Sequence, residues 1–409
     1  MSQNLNRIAL VAMILSLWLE SLELSFVVAS IVLFLSFRPR LSRNIASIVL
    51  LMLVLILIGF LGIFSVEAGA YGFIKDLIYF LRPLTIMLAT YFVVSRLEKK
   101  SDFFNIIVIC GFGFAVWHLL HIGTGLLTMR PNLDKFRGVF GKLNHVELLA
   151  LFSIICIKGL PIKHTRYKAI YQFLVICLGI SFLLYFSRTM IVVLGIMVMA
   201  YYGYLKLNRR GAIALAFLMV LSGAFIVFIR NYEPSNTQDP GIGTMFLEKL
   251  KNSYTEAFEP VEFDRFKMDR RELWPRWRAY EANLVLTEND KEKLWFTGQG
   301  FGSTVDVGFE IILDGAYIQH LPTTHNGLAY VYLKTGILGL LVYFSIIGLL
   351  YLYYYKKDAT DHPVSYHRVL AACAFYMLAS SMVVTGIFKQ YEMISFLLGG
   401  TFALKQFDR

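Results

Sequence analysis

Residues 45–64 read IASIVLLMLVLILIGFLGIF, twenty consecutive positions without a charge. At 1.5 Å per residue a helix of this length covers about 30 Å, the thickness of the hydrocarbon core of a bilayer. A surface helix of a soluble protein keeps one polar face for water, and this stretch has none. The whole chain repeats the pattern. Its composition is 57% hydrophobic and 16% charged with a mean hydropathy of +0.60, outside the range of soluble globular proteins. Most of it outside residues 230–323 divides into similar runs, which predicts an all-α polytopic membrane protein with spans at 8–19, 23–37, 45–64, 71–95, 103–125, 146–160, 169–186, 188–205, 211–229, 325–355, 368–387 and 391–406. Nine fall in an N-terminal membrane region, 1–229, and three in a C-terminal one, 324–409, with 230–323 as a long loop between them.

The net charge of +11 raises the question of nucleic acid. The basic residues, however, sit in short loops on alternate sides of the expected spans, as the positive-inside rule requires of a cytoplasmic flank. These loops are Arg38 to Arg43, Arg96 to Lys100, Lys158 to Lys168, Lys206 to Arg210 and Lys356 to Arg368, while the intervening ESLE and SVEAGA carry no Lys or Arg. Membrane topology accounts for the charge, no nucleic-acid partner is expected, and both termini are placed in the cytoplasm with 230–323 outside. Arg7 before an apolar run has the look of a secretory signal, but no small-residue cleavage site precedes the next span, so the run is expected to be retained. Cys110, Cys156, Cys177 and Cys373 all lie in expected spans without CxxC spacing and are read as packing residues.

Cations on the outer side stand against the positive-inside rule. Two segments carry them: 128–145, with Arg130, Lys135, Arg137 and Lys142, and the stretch with Arg265, Lys267, Arg270, Arg271, Arg276 and Arg278. Because Asp264, Asp269, Glu272 and Glu281 are interleaved there, a solvated, salt-bridged face competes with an anion site. Residues 169–205 are too long for one span and are expected to fold back at Ser187-Arg188-Thr189, placing Arg188 at the outer boundary either snorkelling or holding an anion. Inside the fourth span, Lys75, Asp76 and Arg82 form either structural glue or an anion site, with Arg82 the deeper cation beside Pro83. His118 and His121 have an i, i+3 spacing that a metal could use, but no third ligand follows, so interfacial packing is expected and no metal.

ELWPRWRAYEANLVL (272–286) reads as an amphipathic helix with Pro275 in its first turn, Arg276 at its start, and Trp277, Tyr280 and Leu284 facing the membrane interface. LPTTHNGLAYVYLKTGILGLLVYF (321–344) repeats that organisation, with Thr323 or Thr324 as N-cap and His325 in the first turn of a span. Arg188, Arg276 and His325 are thus each expected at an outward helix start. Unpaired N–H groups there suit phosphate, two guanidinium forks add permanent charge, and an imidazole can take a proton near neutral pH.

These residues carry a family resemblance. FSRT (186–189), RWRAYEANL (276–284) followed by GQGFG (298–302), and HNGLAYVYLKTGILGLLVYF (325–344) resemble, in order, the signatures of the bacterial O-antigen ligase and O-antigen polymerase family, and FRGVFGKLNHVELLA (136–150) is similar to that family's segment leading into its sixth span. The motifs cover residues 130–345. The resemblance implies a C-type glycosyltransferase-like membrane fold in the inner membrane. The implied donor is an undecaprenyl-diphosphate-linked glycan, transferred to a sugar hydroxyl of lipid A core or of a second lipid-linked repeat unit, with no cofactor or metal. Carried over by motif, Arg188, Arg276 and His325 are the catalytic set; Arg82, Arg137, Arg271, Arg278, Asn326 and Ser187 complete the expected substrate contacts. A flippase or transporter of lipid-linked sugars is the alternative, since it too would use an outward cationic cavity.

Overall fold

The computed structural model describes residues 2–16, 21–61, 69–128, 144–157, 165–231, 247, 250–251, 277–313, 316–356, 364–389 and 391–406, and the statements below refer to these. The chain is nearly all helical. In order it forms α1 (Gln3–Leu15), α2 (Leu22–Ser36), α3 (Arg43–Leu61), α4 (Ala70–Val94), α5 (Ser101–Thr128), α6 (Asn144–Cys156), α7 (Thr165–Leu184), α8 (Arg188–Tyr202) and α9 (Arg209–Arg230). After these come α10 (Trp277–Lys291), strands β1 (Val305–Leu313) and β2 (Ala316–Leu321), α11 (Gly327–Tyr351), α12 (Tyr366–Val383) and α13 (Ile394–Gln406), with single 3-10 turns at Leu352–Tyr355 and Gly386–Phe388. Each of the twelve apolar runs overlaps a helix. By length and composition α3, α4, α5, α9 and α11 are able to cross a membrane, and α2, α6, α7 and α8 are shorter apolar helices.

Local signals set the ends of these helices. Ser21 caps α2, its hydroxyl accepting from Leu24 N at 3.1 Å, and Glu23 follows in the positively polarised first turn. The chain leaves α2 just before Arg38-Pro39, where proline disfavours a further helical turn. The run 169–205 is divided into two helices as expected, but the break falls at 185–187, before the expected Ser187-Arg188-Thr189: α7 ends at Leu184, Phe186 takes a positive φ of 47°, and α8 starts at Arg188. Ser187 occupies the N-cap position without a side-chain capping bond. At the centre, α4 packs against α2 and α13, while α11 lies between α3 and α12, and α12 packs on α8.

Three features depart from the expected fold. First, the outer segment contains an antiparallel hairpin, β1 pairing with β2 from Val305 opposite Leu321 to Leu313 opposite Ala316, where only helices were expected. Second, Trp277, Tyr280 and Leu284 of α10 do not face the membrane interface. They are buried with Val305, Val307 and Leu321 of the hairpin and Leu333 of α11, and the Tyr280 hydroxyl donates to the Val307 carbonyl at 2.7 Å.

Third, α11 is not a continuous span. Gly336 breaks it with φ 61° and ψ −160°, and the loop 295–302 fills the break. Gln299 N donates to the Leu333 carbonyl (2.8 Å) and Gly300 N to that of Lys334 (3.1 Å), while Ile337 N and Leu338 N donate to the carbonyls of Trp295 (3.0 Å) and Phe296 (3.1 Å). Irregular backbone at membrane depth is tolerated only when protein satisfies it, and these four bonds do so. Beside them a buried ion pair joins Asp76 of α4 to Lys334 of α11 at 2.6 Å. The Asp76 carboxylate also accepts from Gly302 N (2.7 Å) and the Tyr330 hydroxyl (2.8 Å), and the Lys334 ammonium donates to the Ser303 carbonyl. Asp76 is therefore structural glue, but its partner is Lys334 and not Lys75 or Arg82.

The close approach in the break explains two glycines. A Cβ on Gly298, whose φ is 70°, would lie 2.5 Å from the backbone nitrogens of Thr335 and Gly336, and one on Gly336 would lie 2.5 Å from Gly298 N. Gly298→Ala and Gly336→Ala are each expected to lower the thermal unfolding midpoint in detergent, since strained φ alone costs on the order of 1–3 kcal/mol. Gly348→Ala, at a helical position with no atom within 4 Å of the added Cβ, is expected to hold or raise that midpoint, with about 1 kcal/mol of helix propensity in its favour. Equal midpoints for all three variants would contradict the seated loop.

Candidate functional site

The site is built around the start of α11. Asn326, not a threonine, is the N-cap: its side-chain oxygen accepts from Leu328 N at 2.9 Å and Ala329 N at 3.1 Å, and its amide nitrogen donates to the Met382 carbonyl at 3.3 Å. His325 therefore precedes the helix and does not lie in its first turn. Residues 384–388 form a floor beneath it. Gly327 N donates to the Val384 carbonyl (3.1 Å), the Thr385 hydroxyl to the Thr324 carbonyl (3.1 Å), and the Thr324 hydroxyl to the Asn326 carbonyl (2.8 Å).

Glu281 of α10 comes in from the other side. Its carboxylate, 1% exposed, accepts from His325 N at 2.7 Å through Oε2, and Oε1 lies 2.9 Å from His325 Nδ1 and accepts from Trp277 Nε1 at 2.5 Å. An ionised carboxylate only accepts, so the imidazole contact assigns the proton to Nδ1 and leaves Nε2 as the open acceptor. The His325 side chain is 58% exposed. A buried carboxylate, an oriented imidazole and an accessible second nitrogen are the parts of a general base with its positioning group.

This carboxylate is the residue that the sequence reading missed. In the sequence Glu281 stands among the interleaved charges of an expected solvated face, yet it lies on the stripe of Trp277 and Leu284, at i, i+4 and i+7, which is the buried face of α10. An acid on an apolar stripe was the available signal. α10 is held in place by its aromatic packing and by Asn289, whose side chain donates to the Tyr332 carbonyl at 3.0 Å.

Of the expected arginines, Arg188 is half-buried as the first residue of α8. Its helix packs on α12, which packs in turn on α11. Just before it in the chain, Tyr185 belongs to a buried polar cluster. The Tyr185 and Ser181 hydroxyls donate to Glu147 Oε1 of α6 at 3.2 and 2.8 Å, His118 Nδ1 contacts the Ser181 hydroxyl at 2.8 Å, and the His118 ring stacks on Tyr185 at 3.8 Å. Arg278 is half-buried in the first turn of α10. Arg276, Arg271 and Arg137 lie outside the described residues; Trp277, the residue after Arg276, carries the indole that contacts Glu281.

Arg82 is placed differently from the expectation of a substrate contact. It is 1% exposed, and its guanidinium donates to the Ser25 hydroxyl (2.9 Å) and to the carbonyls of Lys389 (2.9 Å) and Glu392 (3.5 Å). It ties α4 to α2 and to the segment after the 3-10 turn at 386–388, and so supports the floor of the site from below. Among the described residues no group of three or more His, Cys, Asp and Glu is arranged to hold a metal ion. No family model matches the chain, and no curated protein matches it.

The proton assignment is open to direct measurement. Nitrogen-15 spectra of histidine-labelled protein, with the His325 signal identified by its loss in His325→Gln, are expected to show the Nδ1–H tautomer. Glu281→Ala is expected to shift that population toward Nε2–H, because the carboxylate that fixes the tautomer is gone. A wild-type His325 already in the Nε2–H form contradicts the arrangement.

Proposed function

We propose that the protein is a membrane glycosyltransferase that moves a glycan from an undecaprenyl-diphosphate carrier to a sugar hydroxyl on the outer side of the cytoplasmic membrane, as an O-antigen ligase or polymerase does. The observation that carries this reading is the exposed imidazole of His325, backed by the buried carboxylate of Glu281 at the mouth of an apolar helix. The ordered motifs that contain Arg188, Arg276 and His325, and the five basic loops that the positive-inside rule assigns to the opposite flank, support it further.

In the proposed step His325 Nε2 takes the proton of the acceptor hydroxyl. The acceptor oxygen bonds to the anomeric carbon as the bond from that carbon to the diphosphate oxygen breaks, with inversion. The electron pair leaves on the lipid diphosphate, whose growing negative charge Arg188 and Arg276 stabilise as preorganised donors. Glu281 keeps the base in the required tautomer and stabilises the imidazolium that forms. Ligase and polymerase differ only in the acceptor, lipid A core in one and a second lipid-linked repeat unit in the other.

Purified protein supplied with a lipid-diphosphate glycan and each acceptor in turn tests the proposal. His325→Ala is expected to slow transfer by roughly 100-fold to 10,000-fold, and Arg188→Ala by about 100-fold or more. Transfer at the wild-type rate by His325→Ala removes the base role. Movement of the lipid-linked glycan across vesicles with no transfer replaces the enzyme with a transporter.

A further inference from the structure

At the end of α11 opposite His325, α9 stands apart from the bundle: it makes no extended contact with any described element, and nearly all its apolar side chains face outward. Between its base and the α11–α12 pair opens a cleft of about 860 Å³. Its walls are carbon, from Leu215 on α9, Phe344 and Ile347 on α11, and Phe375 and Leu378 on α12. The cleft runs into a second cavity of about 610 Å³, the two sharing Tyr204, Lys206 and Asn208. The second cavity is lined by four cations, Lys206, Arg210, Lys356 and Arg368, and no acidic side chain lines either space among the described residues.

The junction is a built feature of the fold. Leu207 N donates to the Tyr351 hydroxyl at 3.0 Å, Gly211 N to the Asn208 side chain at 2.8 Å, and the Tyr354 hydroxyl to the Ala200 carbonyl. The Lys206 ammonium lies 4.8 Å from the centroid of the Tyr355 ring, and that of Lys356 lies 4.4 Å from the Tyr353 centroid, so aromatic faces hold both heads near the mouth. None of the four cations pairs with a carboxylate among the described residues. A carbon-walled cleft between apolar helices takes hydrocarbon, and a cluster of Lys and Arg at its mouth, with no carboxylate partner among the described residues, takes phosphate.

We infer that this joined space binds an anionic phospholipid, one acyl chain in the cleft beside α9 and the headgroup phosphate among Lys206, Arg210, Lys356 and Arg368. The charge complementarity selects an anionic over a zwitterionic lipid, and the cleft selects a lipid over free phosphate. The site is separate from the one around His325 and does not depend on the proposed transfer reaction.

Lipid-stripped protein in detergent, offered phosphatidylglycerol, cardiolipin, phosphatidylcholine or inorganic phosphate and read by native mass spectrometry, tests this. Retention of phosphatidylglycerol and cardiolipin over phosphatidylcholine is expected, weakened roughly fivefold for each cation removed in Lys206→Gln and Arg368→Gln. Gly348→Phe, whose new side chain grows from an open position on the cleft wall, is expected to weaken lipid retention without affecting any binding of inorganic phosphate. Melting curves confirm that each variant is folded, and if Gly348→Phe is not, the two cation variants decide alone. Equal retention of phosphatidylcholine, retention of phosphatidylglycerol unchanged in the folded variants, or binding of inorganic phosphate alone each overturns the inference.

Discussion

The seating of the loop 295–302 in the broken helix α11 is the constraint on which the rest of the structure depends. A helix opened inside a low-dielectric bundle frees carbonyls and N–H groups, and each one left buried and unpaired costs about 1–3 kcal/mol. Four backbone bonds between the loop and residues 333–338 satisfy them together. The Asp76–Lys334 pair then fastens the same loop to α4 through Gly302 N and the Ser303 carbonyl. Because this loop directly follows α10 and directly precedes the β-hairpin, fixing it also fixes both. The position of Glu281 against His325 thus depends on a bend at Gly336, three residues beyond Leu333, where the loop first contacts α11.

That dependence separates what could be read along the chain from what could not. Apolar runs are set by local composition and by bilayer thickness, so each run overlaps a helix, and the break in 169–205 lies at 185–187, within two residues of the expected Ser187-Arg188-Thr189. The kink at Gly336 and the partner of Asp76 are set by contacts between distant segments. Gly336 sits in an apolar stretch that continues the helical pattern on both sides, and only the arrival of Phe296 to Gly300 gives it a reason to break. GQGFG was visible as a motif, but its reading as a backbone plug needed its partner. Lys334 was hidden in a span for the same reason, since a cation with a buried counter-charge and a carbonyl acceptor does not interrupt the apolar run around it.

The candidate site follows the same division. His325 was legible as a polar residue where a hydrophobic helix should begin, and the order of the motifs supplied Arg188 and Arg276. Glu281 is hard to see in the sequence because the charges interleaved along its segment resemble a solvated face. Plotted on α10, it falls among the aromatic residues that bury that face, where a carboxylate needs donors, and Trp277 Nε1, His325 N and His325 Nδ1 contact it. The floor residues 384–388 carry no charge signature at all, and their part in holding Thr324 and Gly327 is made through backbone groups that composition does not reveal.

Arg82 and Arg188 show what the depth of a membrane arginine means. Depth suggested Arg82 as an anion ligand, because a charge far from water must have a compelling reason to be there. But a deep guanidinium has no water to fall back on, so the folded protein itself must satisfy it, and Ser25, Lys389 and Glu392 do. To hold a diphosphate it would have to exchange charge-assisted bonds worth about 1.5–3 kcal/mol each for those to the ligand, and would release the segment beneath His325 as it did so. Arg188 is placed differently: it opens α8 and is only half-buried, where Arg82 is enclosed. A deep cation in this bundle is therefore a brace, as Arg82 with Ser25 and Lys334 with Asp76 both show.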